Sequence, residues 1–173
     1  QAFEAWLQTQ CAAHALQPAS LRLASADASF RRYLRIDRSD GGSLIIMDAP
    51  PGKEDCRPFV QVSALMQQAG LHVPEVLAWD EAQGFMLLTD LGQHTLLDVL
   101  RTPEANAPVA GAPFAEPRVA RALMEAAVDL LIQWQLASKP NTLPPYDDAL
   151  LRRELQLFPD WYVQKHKGIT LDA

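Results

Sequence analysis

The run Leu44-Ile45-Ile46-Met47 is apolar without a break. A strand with one face in water alternates apolar and polar residues, because successive side chains point to opposite sides. Four apolar residues in a row describe a strand covered on both faces. The run is sharply bounded. Asp40-Gly41-Gly42 ahead of it tolerates positive φ and predicts a hairpin, and Pro50-Pro51 behind it removes two backbone donors. Upstream, LRLAS and FRRYLRI have strand character. Downstream, Phe59, Val62, Met66 and Ala69 recur at helical spacing, with Asp55 or Cys56 at the cap, Pro58 in the first turn and Gly70 as the stop. VLAWD and FMLLTDLG then form a second hairpin that turns at Gln83-Gly84. Hairpins interrupted by a single helix predict an α+β lobe rather than an alternating βαβ wind.

Around this block the pattern is helical. Phe3, Trp6, Leu7, Cys11 and His14 space a short amphipathic helix that Pro18 ends. TLLDVL is a short helix, and RTPEANAPVAGAPFAEP reads as a mobile loop. Val119, Leu123, Ala126, Ala127, Leu130, Leu131 and Trp134 mark one face of a long helix, which KPNTLPP breaks. A last helix carries Leu151, Leu155 and Phe158, with Asp147-Asp148 at its start and Pro159 kinking or restarting it.

Several function classes are excluded. Setting Gly52-Lys53 on the phosphate-loop pattern G-x-x-x-x-G-K-[ST] requires Gly at 47 and Ser or Thr at 54, where the chain has Met47 and Glu54. A net charge of −6 argues against nucleic acid as the main partner. The apolar runs are far shorter than the roughly 20 residues of a membrane span, and the first ten residues lack the pattern of a secretory signal. Cys11 and Cys56 have no metal-ligand spacing and read as reduced thiols of a cytoplasmic protein. His14, His72, His94 and His166 are scattered without a second ligand at i+3 or i+4, and no G-x-S-x-G elbow is present.

SADASFRRYLRI, MDAPPGKEDCRPF, GLHVPEVLAWD, GFMLLTDLG and ELQLFPDWYV resemble the bacterial aminoglycoside-phosphotransferase-like kinases. Within them they are most similar to the cytoplasmic sugar 1-kinases that act on N-acetylmuramate and N-acetylglucosamine in cell-wall recycling. The resemblance implies a protein-kinase-like N-lobe, five antiparallel strands plus one helix, followed by the first helices of a C-lobe. It divides the chain into an N-terminal helix at 1–20, the N-lobe with its hinge at 21–92, a linker at 93–117 and the start of the C-lobe at 118–173. It implies ATP and Mg2+ as cofactors, an amino-sugar acceptor, and neither nucleic acid nor membrane as partner.

On that template SADASFRR closes over nucleotide phosphates. Ser25, Ala26, Asp27, Ala28 and Ser29 then lie close to the ligand and Arg31 and Arg32 offer charge, although the same stretch alone reads as an exposed hairpin with two solvated arginines. LLTDLG becomes the hinge: backbone groups at Leu88, Thr89 and Asp90 meet the adenine edge, and Leu87 or Met86 lines its face. Tyr146, Glu154 and Trp161, with Asp147, Asp148 and Arg152 nearby, fall on the substrate side.

Two family features are missing. The strand lysine that contacts α- and β-phosphates falls at Met47 or its neighbour, and the following helix has no glutamate between Asp55 and Gly70. Arg31, Arg32 and Lys53 are the candidate substitutes. No histidine is followed by x-Asp, so the H-x-D catalytic loop is absent and this chain holds no catalytic residue. The expectation is the N-terminal part of a longer enzyme, inactive by itself. An aminoglycoside, choline or other alcohol kinase and a non-catalytic kinase-like module are the alternatives.

Overall fold

The computed structural model describes residues 1–26, 30–101 and 117–171. Asp27, Ala28, Ser29 and most of the Pro/Ala-rich stretch therefore lie outside the described residues, as does the side chain of Ala26. The chain divides into two compact units, Gln1–Ala137 and Ser138–Ala173.

The first unit is built on a five-stranded antiparallel sheet in the order β1-β2-β3-β5-β4. Its strands are β1 (Arg22–Ala26), β2 (Arg32–Asp37), β3 (Ser43–Asp48), β4 (Val76–Asp80) and β5 (Phe85–Thr89). The unbroken apolar run is β3, which lies between β2 and β5 and is covered on both faces. Leu44 and Ile46 point to one side, where α1 (Ala2–His14) brings Trp6 and Leu7 against Ile36, Phe85 and Leu87. Phe3 meets the Phe85 ring edge-on at 5.4 Å, which orients α1 on the sheet. Met47, with Ala49, Met86 and Leu88, belongs to the opposite layer, on which Ile45 and Tyr33 pack together with Phe59 and Val60 of α2 (Arg57–Gln68). Each fully buried Ile46, Met47, Met86 and Leu87 side chain contributes about 1.5–3 kcal/mol over its exposed state.

The turns follow their residues. Gly41 and Gly42, at φ 99° and 77°, join β2 to β3. Gly70, at φ 75°, follows α2, whose buried Ser63 hydroxyl donates to the Pro74 carbonyl at 2.6 Å and ties the helix to the approach of β4. The short helix α3 (Leu96–Leu100) follows β5, and α4 (Pro117–Ala137) falls in the same compact unit as the sheet, where Gln133 Nε2 donates to the Ala69 carbonyl at 2.8 Å.

The second unit contains α5 (Asp148–Leu157), capped by Asp147, whose carboxylate accepts from Leu150 N at 2.9 Å. The helix widens into a π-helical run over Phe158–His166 with Pro159 in its first turn. Proline has no N–H for the usual i−4 bond, so a change of hydrogen-bond register there lets the helix continue.

Candidate functional site

A cavity of about 510 Å³ opens on the α2 side of the sheet, a size suited to a small-molecule ligand. The period of two along each strand selects its walls. Ala24 of β1, Tyr33 of β2, Ile45 of β3 and Leu88 of β5 line it, and Ile45 and Leu88 are direct cross-strand partners. The segment from Thr89 to Thr95 forms the rim. The result is an apolar slot with a stretch of main chain along one edge.

That edge is held at both ends. At its start the Asp90 carboxylate accepts from Arg35 Nε at 2.6 Å, Arg35 Nη2 at 3.0 Å, the Ser43 hydroxyl at 2.6 Å and Gly92 N at 2.9 Å. Arg35 Nη2 also donates to the Gly92 carbonyl at 2.8 Å. Burial alone would raise the Asp90 pKa. The bonds from Arg35, Ser43 and Gly92, together with the Arg35 charge, outweigh burial and hold it at about 2. At the far end Thr95 caps α3 in a reciprocal box: Asp98 N donates to Thr95 Oγ1 and Thr95 N donates to the Asp98 carboxylate. Thr89 N donates to the Glu75 carbonyl at 3.1 Å, which fixes the rim to the approach of β4.

At the end of β2 remote from this rim stands a second polar group. Arg31 Nε donates to Glu54 Oε2 at 3.0 Å, and Glu54 Oε1 accepts from Phe30 N at 3.2 Å. Arg31 also interacts with Tyr33, and although burial opposes its charge, Tyr33 and Glu54 together raise its pKa. Burial pushes the neighbouring Cys56 thiol up, so Cys56 is an inert buried thiol rather than a nucleophile.

The sequence pattern of a family described as "Phosphotransferase enzyme family" (APH) matches residues 20–172. The chain belongs to the APH phosphotransferase family. It is 51% identical over 156 residues to a Pseudomonas aeruginosa protein named N-acetylmuramate/N-acetylglucosamine kinase, covering 90% of this chain and 41% of the relative. Proteins of the same name from Pseudomonas putida and Neisseria meningitidis are 47% and 37% identical. These matches cover 87% and 96% of this chain and 40% and 45% of those relatives. The APH-family chain thus spans less than half the length of the curated relatives it matches.

The structure sorts the residues expected to meet a nucleotide. Leu88, Thr89 and Asp90 do border the cleft, as does Ser25, but the Asp90 carboxylate is committed to Arg35, Ser43 and Gly92. Leu87 is fully buried on the α1 side, away from the cleft, because adjacent strand residues face opposite ways and Leu88 takes the cleft. Met86 and Met47 are fully buried in the core beneath α2, so neither presents a face to the cavity. Arg32 sits one residue from Arg31 on the opposite strand face, paired with Asp48, and its side chain is 65% exposed. The Lys53 ammonium lies 4.1 Å from the centre of the Phe30 ring. In the second unit Tyr146 is exposed ahead of α5, Glu154 pairs with Arg153, and Trp161 lies 3.7 Å under the Lys165 ammonium.

Sequence reasoning missed Ile45, Tyr33 and Arg35 as walls and Glu54 as a partner of Arg31. For the first three a signal existed, since strand alternation puts residues 33, 35 and 45 on the α2 side. Glu54 lies in an irregular connection, where no periodicity reports direction. Among the described residues no three His, Cys, Asp or Glu side chains converge to hold a metal ion, and no helix is long and apolar enough to cross a membrane.

Proposed function

We propose that this chain carries the nucleotide-binding lobe, with the beginning of the substrate lobe, of an ATP-dependent kinase that phosphorylates the anomeric hydroxyl of N-acetylmuramate or N-acetylglucosamine. The observation that carries the reading is the apolar cleft between Ala24, Ile45 and Leu88, with a braced main-chain edge at Asp90–Gly92. Adenine is a flat apolar ring system with a polar edge, and this cleft pairs a flat apolar wall with backbone groups. ATP supplies the transferable phosphoryl group; the residues of this chain hold and orient it and exclude water from the slot.

The sugar acceptor follows from the names of the three relatives, with Tyr146, Glu154 and Trp161 as the proposed substrate-side groups. Among the described residues no ligand set converges to hold magnesium. The carboxylate that would take the acceptor proton is likewise not supplied by an H-x-D loop in this chain. A cytoplasmic location belongs to the same proposal, since ATP and recycled amino sugars meet there.

The test is phosphoryl transfer by the complete gene product, followed by phosphorus NMR with N-acetylmuramate, N-acetylglucosamine and kanamycin as acceptors. The expected product is a sugar 1-phosphate from either amino sugar. Transfer to kanamycin alone would move the protein to an aminoglycoside kinase, and nucleotide binding without transfer to any acceptor would favour a non-catalytic module. The 173-residue chain assayed alone is expected to show no transfer above blank.

A further inference from the structure

The strand position that would carry a phosphate-binding lysine is Met47, fully buried beneath α2. Along β3 the α2-facing residues are Ile45 and Met47, and α2 itself contains no acidic residue. Both members of a lysine–glutamate couple are therefore missing from their elements. A phosphate-binding cleft with no cation at its inner end would leave the α- and β-phosphate charges without a partner in a low-dielectric setting.

Three cations were candidates to fill this gap, and the geometry separates them. Arg32 is directed to the other face of the sheet with Asp48, and Lys53 is engaged with the Phe30 ring. Arg31 immediately precedes β2 and interacts with Tyr33, a wall of the cleft, and with Glu54 of the connection that leads into α2. Its side chain is 26% exposed and that of Glu54 is 13% exposed, so the pair is largely shielded from water. Glu54 also accepts from Phe30 N, so its carboxylate fixes the chain that carries Arg31 as well as the guanidinium itself.

We propose that the Arg31–Glu54 pair replaces the missing lysine–glutamate couple, with Arg31 contacting the α- and β-phosphates of the bound nucleotide and Glu54 acting as its positioning residue. The cation has moved from β3 to the start of β2, and its carboxylate partner has moved from α2 to the connection before it. A guanidinium has five donors in a planar fork, so it can keep Glu54 through Nε and bind phosphate oxygens through other N–H groups. An ammonium on β3 could not be recreated by simple exchange, because Met47 is enclosed by the apolar layer.

This inference rests on the nucleotide reading above, and its test separates the two. Adenosine, ADP and ATP affinities are measured by calorimetry for the complete protein and for Arg31→Ala, Arg31→Lys, Arg32→Ala, Glu54→Gln and the surface control Arg121→Ala, each checked for folding by circular dichroism. Arg31→Ala is expected to weaken ADP and ATP binding by about 10–100-fold while adenosine affinity changes less than about 2-fold. Arg31→Lys is expected to restore part of the loss, and Glu54→Gln to give a smaller loss confined to ADP and ATP. Arg121→Ala controls for the removal of one positive charge. ADP affinity unchanged in folded Arg31→Ala, or lost together with adenosine affinity, overturns the inference. So does a loss of ADP affinity in Arg32→Ala that is absent from Arg31→Ala. Failure of the unsubstituted protein to bind any of the three ligands would instead overturn the nucleotide reading on which the inference stands.

Discussion

Asp90→Ala is expected to destabilise the protein by about 3 kcal/mol at neutral pH, because it leaves the Arg35 guanidinium buried without its counter-ion. The Arg35 and Asp90 side chains are only 11% and 5% exposed, and the carboxylate also holds Ser43 and Gly92 N. The loss therefore exceeds the value of an exposed ion pair, about 0–1 kcal/mol. Urea unfolding of wild type and variant at constant protein concentration checks it. The pH dependence has a definite sign. A carboxyl held at about 2 when folded and at ~3.9 when unfolded stabilises the protein fully above the unfolded value, and that contribution disappears as pH falls from about 5 toward 2. The stability difference between wild type and Asp90→Ala is thus expected to shrink in acid and to stay level between pH 6 and 8. The same substitution frees the Asp90–Gly92 edge of the cleft, so on the proposed nucleotide reading ATP affinity is expected to fall with stability.

Gly84→Ala is expected to be at least as damaging, for a steric reason. Gly84 has φ +76°, and a Cβ built there falls 1.9 Å from the Ala49 carbonyl oxygen and 2.9 Å from its carbon. The obstacle is backbone and cannot rotate aside. Ala49 N donates to the Gly84 carbonyl at 2.9 Å, so the two chain segments are already bonded together at the end of the β4–β5 hairpin. Left-handed backbone costs about 1–2 kcal/mol for an alanine, and relieving the collision takes the total to about 3 kcal/mol or more. Gly52→Ala is the matched comparison: its added Cβ meets nothing within 4 Å, and its effect is expected within about 0.5 kcal/mol. Thermal or urea unfolding of the two variants side by side tests the difference.

What could be read from the chain divides along physical lines. Local signals were enough for the elements. The unbroken Leu44–Met47 run identified a strand covered on both faces, Asp40-Gly41-Gly42 the first hairpin, Gly84 the second, and Asp147 a helix start. Periodicity places a residue within its element but says little about which neighbouring position meets a ligand. The sequence pattern points to Leu87 or Met86 as the wall of the slot, whereas Leu88 lines the cleft, and a one-residue slip in a strand reverses the face. The hinge brace joins residues 55 apart in sequence, so nothing local announces that Asp90 serves Arg35. The two arginines where β2 begins have the same character. Arg31 and Arg32 are equivalent as text, and only strand direction and their partners Glu54 and Asp48 set them on opposite faces. Proline at 159 signalled an interruption, but whether a helix kinks, restarts or widens there depends on hydrogen-bond register, which composition does not encode.

ATP is expected to occupy the cleft on the α2 side of the sheet. Photolabelling of the complete protein with 2-azido-ATP, followed by peptide mapping, addresses it directly. The account predicts label on peptides containing Ala24, Ile45 or the stretch from Leu88 to Thr95, suppressed by excess unmodified ATP. Label that ATP suppresses but that lies wholly outside those peptides would contradict it.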